Sequence, residues 1–145
     1  MNPYNGRYFF TVRANSGNGA QWSRVGNEFA THSTMVACFD SSGEALWLRE
    51  NTSDIVGTLQ MYNVTFDEEN NIYIAGRFFG IAGNTFMGFG VTNGTIPAFL
   101  MKMDPEATSP IWATAHNKGS TNWGAIVLNG NELALTNQCG GPDFT

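Results

Sequence analysis

The chain has 145 residues, among them 17 glycines and 16 asparagines, with 13% aromatic and only 13% charged side chains. That length suits one domain able to bury roughly two-thirds of its chain surface, and low charge with many aromatics is the reverse of a disordered composition. The net charge is −5 and the seven basic residues are scattered singly, which excludes a phosphate-backbone binder and any nucleic-acid partner.

In chain order, MNPYNGRYFF lacks the charged-then-apolar order of a signal peptide, so an export signal would lie outside this chain. Tyr8-Phe9-Phe10 opens the first aromatic strand, and MVACF at Met35–Phe39 is the next, turning through Asp40-Ser41-Ser42-Gly43 into a strand ending at Trp47. Asn63 to Phe66 pairs with Asn71 to Ala75 across an Asp67-Glu68-Glu69-Asn70 turn, because β-branched and aromatic runs bounded by turn-formers read as a hairpin. Arg77 to Gly94 is glycine-rich without a helical period and reads as a long loop with aromatic anchors. Ala98 to Met103 and Ile111 to Thr114 are two further strands joined at Asp104-Pro105-Glu106. No segment has a helical period, and no apolar run reaches the ~18 residues of a membrane-spanning helix, so no membrane span is expected.

Sliding the chain along itself until Tyr8 meets Ile72 aligns it without gaps from Gly6 to Asp40. Tyr8-Phe9-Phe10 then falls on Ile72-Tyr73-Ile74, Arg13 on Arg77, Gly19 on Gly83, Gly26 on Gly90, Met35-Val36 on Phe99-Leu100 and Phe39-Asp40 on Met103-Asp104. Apolar positions coincide with apolar positions, which is the stronger part of the signal. One extra residue in the second copy then brings Trp47 onto Trp112. A third, partial copy matches Val64–Gly76 with Ile126–Thr136. MVACF, NIYIA and AFLMKM are apolar without alternation, so both strand faces should be covered. Four antiparallel strands per repeated unit, buried on both faces, describe β-propeller blades. The expected fold is all-β. It is a single propeller segment over residues 1–145, with units 6–54 (partial), 55–119 and 120–145 (partial). Nine strands make about two and a quarter blades, a partial ring. A β-sandwich is the alternative. An open ring predicts that Met35, Phe39, Phe99 and Met103 are covered by other blades of a longer chain or by other subunits.

Thr34–Trp47 (TMVACFDSSGEALW), Ala98–Trp112 (AFLMKMDPEATSPIW) and Val64–Phe78 (VTFDEENNIYIAGRF) resemble the bacterial-type, or seven-bladed, β-propeller repeat family over roughly Ser33 to Asn137. That family carries an Asp-Ala-Phe-Val-Ala-Lys-like strand, an Asp-x-x-Gly turn, a Trp-bearing strand and a Val-Asp-x-x-Gly-Asn-Val-Tyr-Val-Thr-Gly-like hairpin. The unit here is longer, and Glu69-Asn70 replaces the hairpin glycine. The resemblance implies a propeller of this class.

Chemistry-bearing residues are sparse. Asp40, Asp67, Asp104 and Asn129 each follow a strand. They read as Asx-turns, with Asp-rich calcium loops as the weaker alternative, so no metal site is assigned. Trp47 and Trp112 are expected in the core, whereas Trp123 and Phe86 are the candidates for exposed, ligand-stacking aromatics. Cys38 reads as a small buried apolar residue, and a Cys38–Cys139 bridge is left open. Ser33 beside His32 has no nucleophile elbow, Glu68 and Glu69 point apart, and GFGVTNG lacks a P-loop lysine. No catalytic residue and no cofactor are assigned. Asn51 and Asn93 lie in sequons in predicted loops and are candidate glycosylation sites, while Asn63 opens a strand. The expected function is a non-catalytic propeller module of a secreted or cell-surface protein, a scaffold or protein-interaction surface. A carbohydrate-binding propeller is the alternative, and part of a propeller enzyme ranks last. Partners would be other blades or subunits, protein or glycan.

Overall fold

A computed structural model describes residues 1–13, 24–29, 34–50, 59–78, 85–86, 89–90, 98–116, 121–130 and 132–139. Among these residues there is no helix, and so none long and apolar enough to cross a membrane. The strands in chain order are β1 (Tyr8–Arg13), β2 (Arg24–Val25), β3 (Glu28–Phe29), β4 (Thr34–Phe39), β5 (Ala45–Glu50), β6 (Leu59–Phe66), β7 (Ile72–Phe78), β8 (Thr85–Phe86), β9 (Phe89–Gly90), β10 (Ala98–Met103), β11 (Pro110–His116), β12 (Thr121–Asn129) and β13 (Glu132–Cys139). All pairings among them are antiparallel.

The nine longer strands form three meanders: β1-β4-β5, β6-β7-β10-β11 and β12-β13. The two-residue strands make separate ribbons, β2-β3 and β8-β9. The second ribbon lies within the segment expected to be an irregular loop, so that segment is partly ordered as strand. Several strands also run longer than the apolar pattern marked. β6 begins at Leu59 rather than Asn63, and β7 continues to Phe78, because the backbone ladder runs on to the Leu59–Phe78 pair.

The two stretches that align in sequence also share a hydrogen-bond register. Tyr8 stands opposite Phe39, and Ile72 opposite Met103. Phe10 faces Ala37 as Ile74 faces Met101, and Arg13 faces Thr34 as Arg77 faces Ala98. Cys38 faces Trp47 as Lys102 faces Trp112, and each of these hairpins bulges immediately afterwards, at Cys38/Phe39 and Lys102/Met103. Register is fixed by which residues must face the core and by turn length, so equal apolar patterns give equal pairings.

The turns repeat as well. After Asp40, Asp67 and Asp104, the N–H of the third residue on donates to the Asp carbonyl, and that residue is Gly43, Asn70 or Ala107. All three have left-handed backbones, with φ of 87°, 67° and 50°. Asn tolerates this region better than other side-chain-bearing residues, which suits Asn70 to the position. A Cβ on Gly43 would meet nothing within 4 Å. Gly43→Ala should therefore cost only the backbone strain, about 1 kcal/mol, as a drop in urea midpoint with unchanged m. A loss near zero would mean the turn rearranges.

The sheets stack in three layers. Phe9, Val36, Cys38 and Trp47 of the first sheet pack on Phe66, Ile72, Ile74, Phe99, Met101 and Met103 of the four-stranded sheet. The other face of that central sheet, with Tyr73, Ala75 and Leu100, meets Ile126, Leu128, Leu133 and Leu135 of the third sheet. Being covered on both sides, β10 is buried along almost its whole length, as its unalternating sequence requires.

Two expectations are corrected here. Phe99 and Met103 are fully buried against the first sheet of the same chain, and Met35 is buried with Ala37 and Leu48 beside Val25 of the β2-β3 ribbon. Neighbouring layers and an inserted ribbon thus cover residues expected to need a longer chain or another subunit; of the four, only Phe39 keeps partial exposure. Trp47 is buried, edge-on to Phe9 at 5.6 Å. Trp112, its equivalent, is 40% exposed rather than in the core. β11 is an edge strand, and the third sheet lies over β6, β7 and β10.

Candidate functional site

The Asp turns are small hydrogen-bonded units. The Asp40 carboxylate accepts from the N–H and hydroxyl of Ser42 and the N–H of Glu44 at 2.7–2.9 Å. Asp104 accepts from the backbone of Glu106, Thr108 and Ser109 and from the Thr108 and Ser109 hydroxyls, the shortest at 2.6 Å from Ser109 N–H. Both carboxylates are occupied by their own turns, which is the Asx-turn geometry. Among the described residues, no three His, Cys, Asp or Glu side chains converge as metal ligands.

Burial works to raise the Asp104 carboxyl, but the Thr108 and Ser109 donors outweigh it and bring it from 3.8 down to about 2. A lowered carboxyl adds stability in full above its unfolded pKa, and that stability is lost as pH falls toward its folded one. The Asp104 contribution is therefore lost between about pH 4 and pH 2. Asp104→Asn should cost about 1–2 kcal/mol at pH 7 and flatten acid unfolding over that window. Identical acid curves for the two proteins would remove the turn from the account.

The third Asp turn differs because it adjoins another layer. Asp67 accepts from the N–H groups of Glu69 and Asn71 at 3.1 and 2.8 Å, from Asn71 Nδ2 at 2.9 Å and from the Tyr73 hydroxyl at 3.2 Å. Lys102 Nζ lies 3.0 Å from the same carboxylate and 5.2 Å from the centre of the Tyr73 ring. Burial opposes ionisation of Asp67, and the donors from Asn71 and Lys102 overcome it and hold its pKa below the ordinary value. The Lys102 pKa is raised, most by the Tyr73 hydroxyl, with Asp67 adding to it against burial.

These residues border a polar cleft of about 330 Å³ lined by Tyr4, Asp67, Glu68, Glu69, Tyr73 and Lys102. Leu128 and Gly130 of the β12-β13 turn close the far side. Tyr4 is brought there by a short N-terminal loop. Asn2 is fully buried, donates from Nδ2 to Asn70 Oδ1 and accepts the Tyr4 N–H. Arg7 pairs with Glu106 at 2.6 Å on the neighbouring turn. Trp112 stands edge-on to Tyr73, with ring centres 6.0 Å apart. The cleft therefore combines aromatic walls, two exposed carboxylates and one neutralised ion pair.

The candidate ligand-stacking aromatics belong to other parts of the fold. Trp123 lies in β12 opposite Asn137, and Phe86 in β8 opposite Phe89, with both side chains outside the described set. Asn51 and Asn93 lie outside the described residues. Cys38 is a free, buried thiol, so the bridge left open is not formed, and burial pushes its pKa up to about 11. Tyr4, Tyr73 and Lys102 had no sequence signal of function; the one available marker was the Asp67 turn with its unusual run of carboxylates.

Comparison of the chain with family models, with curated proteins and with solved structures finds no match.

Proposed function

We propose that the chain is a non-catalytic β-propeller module of a secreted or cell-surface protein, serving as a scaffold and protein-interaction surface. The observation that carries this reading is the identity of register between β1-β4-β5 and β7-β10-β11, with one extra residue in the turn before β11. Four-stranded meanders repeated in tandem and stacked face to face are what propeller blades are made of. The resemblance to the seven-bladed repeat family agrees with it and is itself part of the proposal.

The absence of catalysis in this proposal rests on the direction of the electrostatics. General acid–base groups need carboxyls raised, or lysines lowered, toward neutrality. Asp40, Asp67 and Asp104 are all lowered and Lys102 is raised, so each is fixed in its charged form. A panel of glycoside, ester, phosphate and peptide substrates should show no turnover above background. Turnover that disappears in Asp67→Asn or Glu69→Gln would overturn the proposal.

Carbohydrate binding is the second reading, favoured by one observation: the cleft has Tyr4, Tyr73 and the nearby Trp112 around carboxylates that can accept sugar hydroxyls. A glycan array at millimolar sugar tests it. Binding weakened about tenfold or more by Tyr4→Ala supports this reading, and an empty array removes it.

A further inference from the structure

The two internal interfaces obey one rule, and it leaves two faces open. β6 lies over β1 and β4. β12, the strand equivalent to β6 in the third copy, lies over β6, β7 and β10, the last two being the equivalents of β1 and β4. In both interfaces the later sheet covers the same face of the earlier one. The reverse face of the central sheet presents Ile72, Ile74 and Met103, all fully buried by the first sheet.

The repeat equivalents of Ile72, Ile74 and Met103 are Tyr8, Phe10 and Phe39, in the same register on the first sheet. Here the face is open along β1, while Met35 and Ala37 on the same face are buried with Leu48 beside Val25 of the β2-β3 ribbon. Tyr8 is 40% and Phe10 52% exposed, and Phe10 stands edge-on to Phe39 at 5.5 Å. The β2-β3 ribbon lies along β5, with Gly26 against Ala45, and among the described residues no strand lies over Tyr8 and Phe10 on this face. At the other end of the stack, Ile126, Leu128, Leu133 and Leu135 face inward. Val127 and Ala134, paired with each other, therefore face outward, and Val127 is 59% exposed.

We propose that these two end faces bind each other between copies of this chain, head to tail, with the third sheet of one copy seated on the first sheet of the next. The proposal rests on the repeated-sheet reading above. It extends to a second molecule the contact that the chain already makes twice within itself, with the same order of faces. The two surfaces are different patches on opposite ends, so the contact is heterologous and each added copy leaves one open face, until rotation closes a ring.

Sedimentation velocity of the 145-residue chain over a wide concentration range tests it, with Phe10→Glu, Val127→Glu and their equimolar mixture. Both sites are exposed, and far-UV circular dichroism checks that each variant folds; Phe10→Ser and Val127→Ser replace any that does not. The wild-type chain should assemble with rising concentration into multiples of 15.8 kDa. Each variant alone should stay monomeric, its association weakened about tenfold or more. Their mixture should form a dimer and stop, because each supplies the face the other has lost. A wild-type chain that is monomeric throughout overturns the proposal. So does a Val127→Glu protein that still dimerises while Phe10→Glu does not, since that is a symmetric contact between like faces. Assembly unaffected by either variant places the contact elsewhere and also overturns it. None of these results touches the repeated-sheet reading, which is decided separately by superposing residues 6–40 on 70–104 in an experimental structure.

Discussion

Phe99→Ala is expected to remove about 3–5 kcal/mol of folding stability, the largest effect of any single substitution considered. Phe99 is fully buried at the centre of the interface between the first and central sheets. Its backbone neighbours across the ladder are Gly76 on β7 and Ala115 on β11. A large ring flanked by small residues fills space that they cannot. Truncation therefore leaves a cavity as well as forfeiting the transfer of the ring from water. Total stabilities of domains are about 5–15 kcal/mol, so the variant should melt roughly 10 °C lower or more. Thermal unfolding and urea titration measure this. A loss under about 1 kcal/mol would mean that the two sheets do not pack as described.

Lys102→Met is expected to cost about 1–3 kcal/mol near pH 7. Methionine keeps the apolar stem over Tyr73 but withdraws the charge from Asp67, whose side chain is 16% exposed. Without Lys102, the burial of Asp67 is opposed by its turn donors and the Tyr73 hydroxyl alone, and its pKa rises. In the wild-type protein the lowered Asp67 carboxyl contributes stability that is present above its unfolded pKa and is lost as pH falls through the folded one. The difference between the two proteins should thus be largest at neutral pH and fade in acid, where Asp67 is protonated in both. Adding Asp67→Asn should recover part of the loss, because a neutral side chain needs no counter-charge and still accepts the turn N–H groups. A double variant that loses the full sum of the two single effects would show that Lys102 and Asp67 act independently.

The sequence by itself determined the longer strands, their pairing and their turns, but not the two short ribbons β2-β3 and β8-β9. Tyr8-Phe9-Phe10 and Ile72-Tyr73-Ile74 carry the same apolar order at the same distance from Met35–Phe39 and Phe99–Met103, and the same register followed. Such information is local: pairing depends on side-chain period and on turns that Asp40, Asp67 and Asp104 build from their own neighbours. Burial on both faces was also legible, in the unalternating run AFLMKM. The fate of equivalent positions was not. Trp47 and Trp112 occupy the same place in their hairpins, yet one is buried and the other 40% exposed. Tyr8 and Phe10 likewise match Ile72 and Ile74 in register but, among the described residues, have no sheet over them. Burial depends on how far the adjoining layer reaches, and the third sheet has two strands where the central one has four. The cleft is decided at the same level. Tyr4, Asp67, Lys102 and Gly130 share no pattern in the chain, and they meet only because the N-terminal loop is held at Asn70 and the third sheet lies over the central one.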